Sequence, residues 1–165
     1  MRQAFSLIEL VFVIAIIGVI SSIAVPKFFA TRETAEIVKL KEQVESIRKG
    51  IEAYAGAKYI ETGSKDYPDG LCYNSSGNID NCNDSLKNNR LIFQVVMQTP
   101  PVANVNWIGW TNSLTNPIFL YKIKKNIQKG YLFEYDKGNG TFKCIDSHSK
   151  CAVNTCALPC KDLGE

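Results

Sequence analysis

From residue 5 to residue 25 the chain reads FSLIELVFVIAIIGVISSIAV, with sixteen of twenty-one positions apolar and one acid, Glu9. At about 1.5 Å per residue this is roughly 31 Å of helix, the thickness of a bilayer's hydrocarbon core. Beyond Pro26 the pattern changes from uniformly apolar to amphipathic. Ile37, Leu40, Val44, Ile47, Ile51 and Tyr54 recur in steps of three and four, which predicts one narrow apolar stripe on a helix reaching about Tyr59. The other faces carry charge, with Glu45–Lys49 and Arg48–Glu52 at i,i+4 spacing. The stripe suits packing against a C-terminal domain better than a coiled-coil seam, since it spans fewer than three heptads. Gly18 and Pro26 punctuate the helix. A proline inside a helix removes a backbone bond and clashes with the preceding turn, so a kink is expected near Ser22–Pro26.

Residues 61–90 are polar, rich in Gly, Asn, Asp and Ser, and contain Cys72 and Cys82. They read as a long loop that needs a tie, and Cys72–Cys82 is the pairing that would staple it. Leu91 to Met97 is apolar and reads as a short helix or a strand, ended by Pro100-Pro101. Strand signals follow Pro117. Phe119, Tyr121 and Ile123 alternate with Leu120, Lys122 and Lys124; Tyr131, Phe133 and Tyr135 alternate with Leu132, Glu134 and Asp136. Lys137-Gly138-Asn139-Gly140 is turn chemistry before Thr141–Ile145 returns. An antiparallel sheet of at least three strands is expected, with its aromatic face covering the helix stripe. Trp107 and Trp110, in W-I-G-W, are either core plugs or a subunit-contact patch.

Glu9 is the costly residue of the apolar run. An ionised carboxylate in lipid costs at least ~2.5–3.5 kcal/mol on insertion scales, so an intramembrane acid implies a function. A secretory signal peptide does not fit: the run is too long, and Ala24-Val25-Pro26 is a poor cleavage site. A plain N-terminal anchor fits the composition. Ala4-Phe5-Ser6-Leu7-Ile8-Glu9-Leu10 adds more, because it resembles the type IV prepilin signature shared by type IV pilins and the pseudopilins of type II secretion systems. The resemblance covers residues 4–30 or so. It implies that a prepilin peptidase cuts between Ala4 and Phe5 on the cytoplasmic side and methylates the new amine of Phe5. The family usually has Gly before the cut; Ala4 is the small residue here. It also implies an α+β pilin-like fold, a long N-terminal membrane-spanning helix packed on a small C-terminal antiparallel sheet with disulfide-rich loops. In such assemblies Glu9 of one subunit would meet a neighbour's Phe5 amine, so that two charges costly in lipid compensate and set the axial register. Pilin helices also loosen between a glycine and a proline placed like Gly18 and Pro26.

The organisation that follows is a leader at 1–4, a transmembrane and filament-core helix at 5–26, its amphipathic continuation at 27–60, and a periplasmic region at 61–165. The expected partners are copies of itself and other pilin-like subunits, the prepilin peptidase, an inner-membrane assembly platform and membrane lipid. The expected location is the bacterial inner membrane, single-pass with the N-terminus cytoplasmic, and a filament after assembly. Net charge is +3 and becomes +2 when Arg2 leaves with the leader. That near-balance argues against a strongly electrostatic nucleic-acid partner, despite Lys122, Lys124, Lys125 and Lys129.

Six cysteines in a chain exported from the cytoplasm suggest disulfides. Besides Cys72 and Cys82, the set Cys144, Cys151, Cys156 and Cys160 offers two bridges holding the tail to the last strand. Such a tail matches the disulfide-bounded C-terminal region of many pilins. With His148 the same residues could be read as a metal site, but their spacings form no paired C-x2-C knuckles, so zinc is not expected. Some major pseudopilins hold calcium in a C-terminal loop. Neither Asp136, Asn139 and Asp146 nor Asp80 and Asp84 have EF-hand-like spacing, so no cofactor is expected. His148 is the sole histidine, and no serine sits in a nucleophile motif; there is no P-loop, dinucleotide fingerprint or HExxH. The chain reads as an assembly subunit and not an enzyme. A type II secretion pseudopilin, a type IV pilus or DNA-uptake pilin, and a non-polymerising membrane-anchored binding domain are the readings left open. A secreted protein that discards its apolar segment is a further one.

Overall fold

The computed structural model describes residues 6–74, 76–80, 82, 91–102, 106–109, 116–123, 129–147 and 157–165, with backbone only for 23–33. Helix α1 runs from Leu7 to Thr62. Its end is local chemistry: Gly63 adopts φ 74°, its N–H bonds Tyr59 O at 2.9 Å, and the Thr62 hydroxyl donates to Lys58 O. The helix therefore outruns its apolar stripe by about two turns. The chain forms two compact units, Met1–Val38 and Lys39–Glu165, so α1 contributes to both.

Within the second unit, strands β1 (Cys72–Tyr73) and β2 (Ile79–Asp80) make a small antiparallel pair. Strands β3 (Trp107–Gly109), β4 (Ile118–Lys122), β5 (Gly130–Asp136) and β6 (Thr141–Ile145) form an antiparallel sheet in chain order. The long helix packs on this four-stranded sheet, and two disulfides complete the α+β pilin-like layout.

The pleat sorts side chains by chemistry. Trp107, Phe119, Tyr121, Tyr131, Phe133, Tyr135 and Phe142 share one face, and every one is buried. Phe133 and Phe142 stack at 5.2 Å, and Phe93 inserts its ring edge-on to Trp107 at 5.0 Å. This face meets α1. Leu40, Val44, Ile47, Ile51 and Ala55 of the helix are buried, and Trp107 Nε1 donates to Gln43 Oε1 at 2.9 Å. Ile37 and Tyr54, at the ends of the stripe, are only half-buried. The opposite face is aliphatic at its centre, with Lys122, Glu134, Asp136 and Lys143 around it. Ile118, Leu120 and Leu132 cluster with Ala157 of the tail, flanked by Ile108 and Ile145. Ala157 pairs with Gly130, and Leu158 N bonds Gly130 O at 2.8 Å, so the tail covers this second face.

Of the two readings of W-I-G-W, Trp107 takes the core one: it is fully buried and lies on strand β3, while Trp110 lies outside the described residues. Two expectations change. The polar 61–90 stretch contains the β1–β2 pair. Its turn is built by Asn74, whose side-chain oxygen accepts from the N–H groups of Ser76 and Asn78. Leu91–Met97 is neither helix nor strand. Leu91 forms a single bridge with Val102, and Phe93 then turns into the left-handed region at φ 65°. That turn drives Ile92 and Phe93 into the core, which explains an apolar run lacking either period.

Candidate functional site

The N-terminal turn of α1 starts at Ser6, whose carbonyl accepts from Glu9 N at 3.1 Å and Leu10 N at 3.2 Å. In return, Ser6 N donates to Glu9 Oε2 at 2.9 Å. Ser-x-x-Glu closing on itself in this way is half of a capping box, in which the side chain three residues into a helix satisfies the cap's own amide. Bonds to a charged acceptor contribute about 1.5–3 kcal/mol, so the cap offsets much of the cost of carrying a carboxylate here. The S-x-x-E spacing announces this contact in the sequence.

Around Glu9 the helix is apolar on every side. Leu7, Ile8, Leu10, Val11, Phe12, Val13, Ile14, Ile16, Ile17, Val19 and Ile20 are all at least 44 % exposed in the single chain. An exposed patch of that extent marks a lipid or protein contact. The polar exception Ser22 turns its hydroxyl inward, donating to Val19 O at 2.7 Å, and so presents no unsatisfied group. A Cβ at Gly18 would meet nothing within 4 Å. Among the described residues no helix is long and apolar enough to cross a membrane. The described apolar side chains stop before Ser22, whereas the apolar sequence continues through Val25.

Ala4 and Phe5 lie outside the described residues, as does the side chain of Pro26; the helical backbone is continuous through Gly18 and Pro26. Cys72 is bonded to Cys82 and Cys144 to Cys160. Cys151, Cys156, His148, Asp84, Lys124 and Lys125 are outside the described residues. Among those described, no group of three or more His, Cys, Asp or Glu side chains could hold a metal. The oxygens considered for calcium serve local structure: Asp136 accepts from Gly138 N, Asn139 from Thr141, and Asp146 from Cys160 N. Asp80 has an interaction of its own.

A second polar constellation was invisible to spacing. Arg48 Nε donates to Phe142 O at 2.8 Å, Nη1 to Glu45 at 3.0 Å, and Nη2 to Glu165, whose other oxygen accepts from Cys144 N at 3.0 Å.

A family model for the prokaryotic N-terminal methylation motif matches residues 1–25. No curated protein and no solved structure matches the chain. Such a motif opens an N-terminal hydrophobic segment that resides in the inner membrane before assembly, and proteins bearing it are processed by a prepilin peptidase and assemble with pilins. The chain thus carries the prepilin-type N-terminal methylation motif at residues 1–25, followed by a long helix packed on a four-stranded antiparallel sheet, a pilin-like layout.

Proposed function

We propose that the chain is a pseudopilin, a structural subunit of a type II secretion system, and not an enzyme. A prepilin peptidase cuts it between Ala4 and Phe5 and methylates Phe5. Residues beyond about Lys27 lie in the periplasm, and an inner-membrane platform adds the subunit to a filament by helix stacking. Glu9 sets the axial register by meeting the Phe5 amine of a neighbour, and Gly18 and Pro26 let the helix loosen as it packs. The single observation that carries this reading is the acid one turn into a helix that is apolar on every side. In a plain anchor that carboxylate would serve only the Ser6 amide, whereas a register device needs its charge.

Mass spectrometry of the mature N-terminus tests processing: N-methylated Phe5 is expected, and an intact Met1 overturns it. A bulky charged residue in Ala4→Glu should leave the leader attached. Glu9→Val should insert in the membrane yet fail to co-purify with filaments; normal incorporation would sink the register role and leave a tethered domain. Identifying the co-purifying subunits assigns the machine, a type IV pilus or DNA-uptake apparatus being the outcome that corrects the choice made here.

A further inference from the structure

The tail crosses from one side of the four-stranded sheet to the other. Ala157 sits in the aliphatic cluster with Leu120 and Leu132 and pairs with Gly130. Farther on, Leu163 is buried and Glu165 meets Arg48 of α1. Between these contacts stands Cys160, bonded to Cys144, and the β5–β6 register places Cys144 on the face it shares with Phe133 and Phe142. The bridge therefore fastens a strap that touches both sides of the sheet. Access separates it from the other bridge. Cys72 and Cys82 are 3 % and 2 % exposed, whereas Cys144, on the outermost strand β6, is half-buried. Thiol–disulfide exchange needs a thiolate to reach a sulfur; Cys160 is buried, so Cys144 is the point of entry. Each half of the bridge is also held without it. Asp146, just past Cys144, accepts from Cys160 N at 2.7 Å, and Glu165, on the segment of Cys160, accepts from Cys144 N at 3.0 Å. These reciprocal bonds keep the two cysteines opposite each other, so an opened bridge can close again.

We propose that Cys144–Cys160 is a reversible redox latch on the tail, opened by a dithiol before Cys72–Cys82 and closed again by a disulfide oxidant. One thiolate of the dithiol attacks Cys144 Sγ, the S–S bond breaks, and Cys160 leaves as a thiolate that takes a proton from water. The second thiolate of the reductant attacks its own sulfur in the mixed disulfide and releases Cys144, which is protonated in turn. Two electrons and two protons pass from the dithiol to the cysteine pair, and the reductant leaves as a disulfide. Opening leaves the strap on its hydrogen bonds and Leu163 alone, so Ala157 and Leu158 part from the sheet more often. The latch lies outside the N-terminal motif and holds whichever machine the subunit serves.

The test treats the full-length wild-type chain in detergent micelles with dithiothreitol, under native conditions, and quenches with an alkylating agent over time. Peptide mapping reads each cysteine separately, and Cys144 and Cys160 should be labelled about tenfold faster than Cys72 and Cys82. Hydrogen exchange at the Leu158 amide should rise about a hundredfold in the reduced protein, while aromatic circular dichroism is kept. Oxidised glutathione should restore both the bridge and the slow exchange. Equal rates for the two bridges, an earlier opening of Cys72–Cys82, or an unchanged Leu158 exchange rate overturns the proposal. So does a failure of oxidised glutathione to restore the bridge. The double change Cys144→Ser, Cys160→Ser should exchange Leu158 fast with or without dithiothreitol; a further acceleration by the dithiol would assign the effect to another bridge and overturn the latch.

Discussion

Gly50 and Gly56 lie on one helix, yet the same added methyl group should act on them with opposite sign. A Cβ at Gly56 meets nothing within 4 Å, so Gly56→Ala collects only the helix-propensity gain, about 1 kcal/mol. A Cβ at Gly50 would stand 1.8 Å from Val96 O and 2.7 Å from the carbon of that carbonyl. The loop bearing it has little freedom to retreat. Phe93 is fully buried, the N–H groups of Val96 and Met97 both bond its carbonyl, and Val95 N bonds Leu71 O. Overpacking costs about 1–3 kcal/mol and sometimes more, and contact with backbone places this case at or beyond the top of that range. Subtracting the propensity gain leaves a net loss of about 2 kcal/mol for Gly50→Ala. At about 4 °C per kcal/mol for a domain of this size, Gly56→Ala should melt about 4 °C higher and Gly50→Ala about 8 °C lower. The assay is thermal unfolding in detergent followed by aromatic circular dichroism. A Gly50→Ala protein that melts at or above wild type would refute the close approach of loop and helix.

Two further outcomes follow from buried groups. Tyr135 donates its hydroxyl to Pro68 O at 2.7 Å, and burial pushes its pKa far above the usual phenol value. An unfolded tyrosine ionises near pH 10 while the folded one keeps its proton, so this contribution is complete below about pH 10 and is lost as pH rises further. Urea titrations should show stability falling above that pH. Tyr135→Phe should flatten part of the slope, leaving the share of Tyr131, also raised by burial, and should cost about 1 kcal/mol at neutral pH. An unaltered slope would count against it. The Cys144–Cys160 bridge closes a sequence separation of 16, for which chain entropy gives about 3 kcal/mol. The double change Cys144→Ser, Cys160→Ser should lose about that much in urea unfolding and speed exchange at the Leu158 amide; a loss below about 1 kcal/mol would show the tail held by its other contacts.

The elements that obey a simple period were legible in the sequence. Leu40, Val44, Ile47 and Ile51 announce a packed helix face, and the alternation through β4, β5 and β6 announces half of a two-sided sheet. The aliphatic partners Leu120 and Leu132 carry no local sign of being buried, because what covers them is Ala157, distant in sequence. Strand β3 has only three residues and borrows its order from β4 and from the Trp107–Gln43 bond, so no local pattern marks it. The motif at residues 4–10 was readable because cleavage site, acid and apolar length must agree. Glu9 bonding Ser6 within the same chain was equally readable from S-x-x-E. Arg48 and Glu165, separated by 117 positions, carry no signal that spacing could reveal.

The unequal chemistry of the two sheet faces has an experimental consequence. All the rings of β3–β6 look toward α1, while the tail seals the aliphatic centre of the other side. Ultraviolet spectroscopy therefore reports chiefly on the helix side of the sheet, and only weakly on Ala157 and Leu158 leaving the other. A cooperative optical melt would not prove that the whole unit opens at once, and only a probe placed on the quiet side, such as the Leu158 amide, can say whether the tail detaches first.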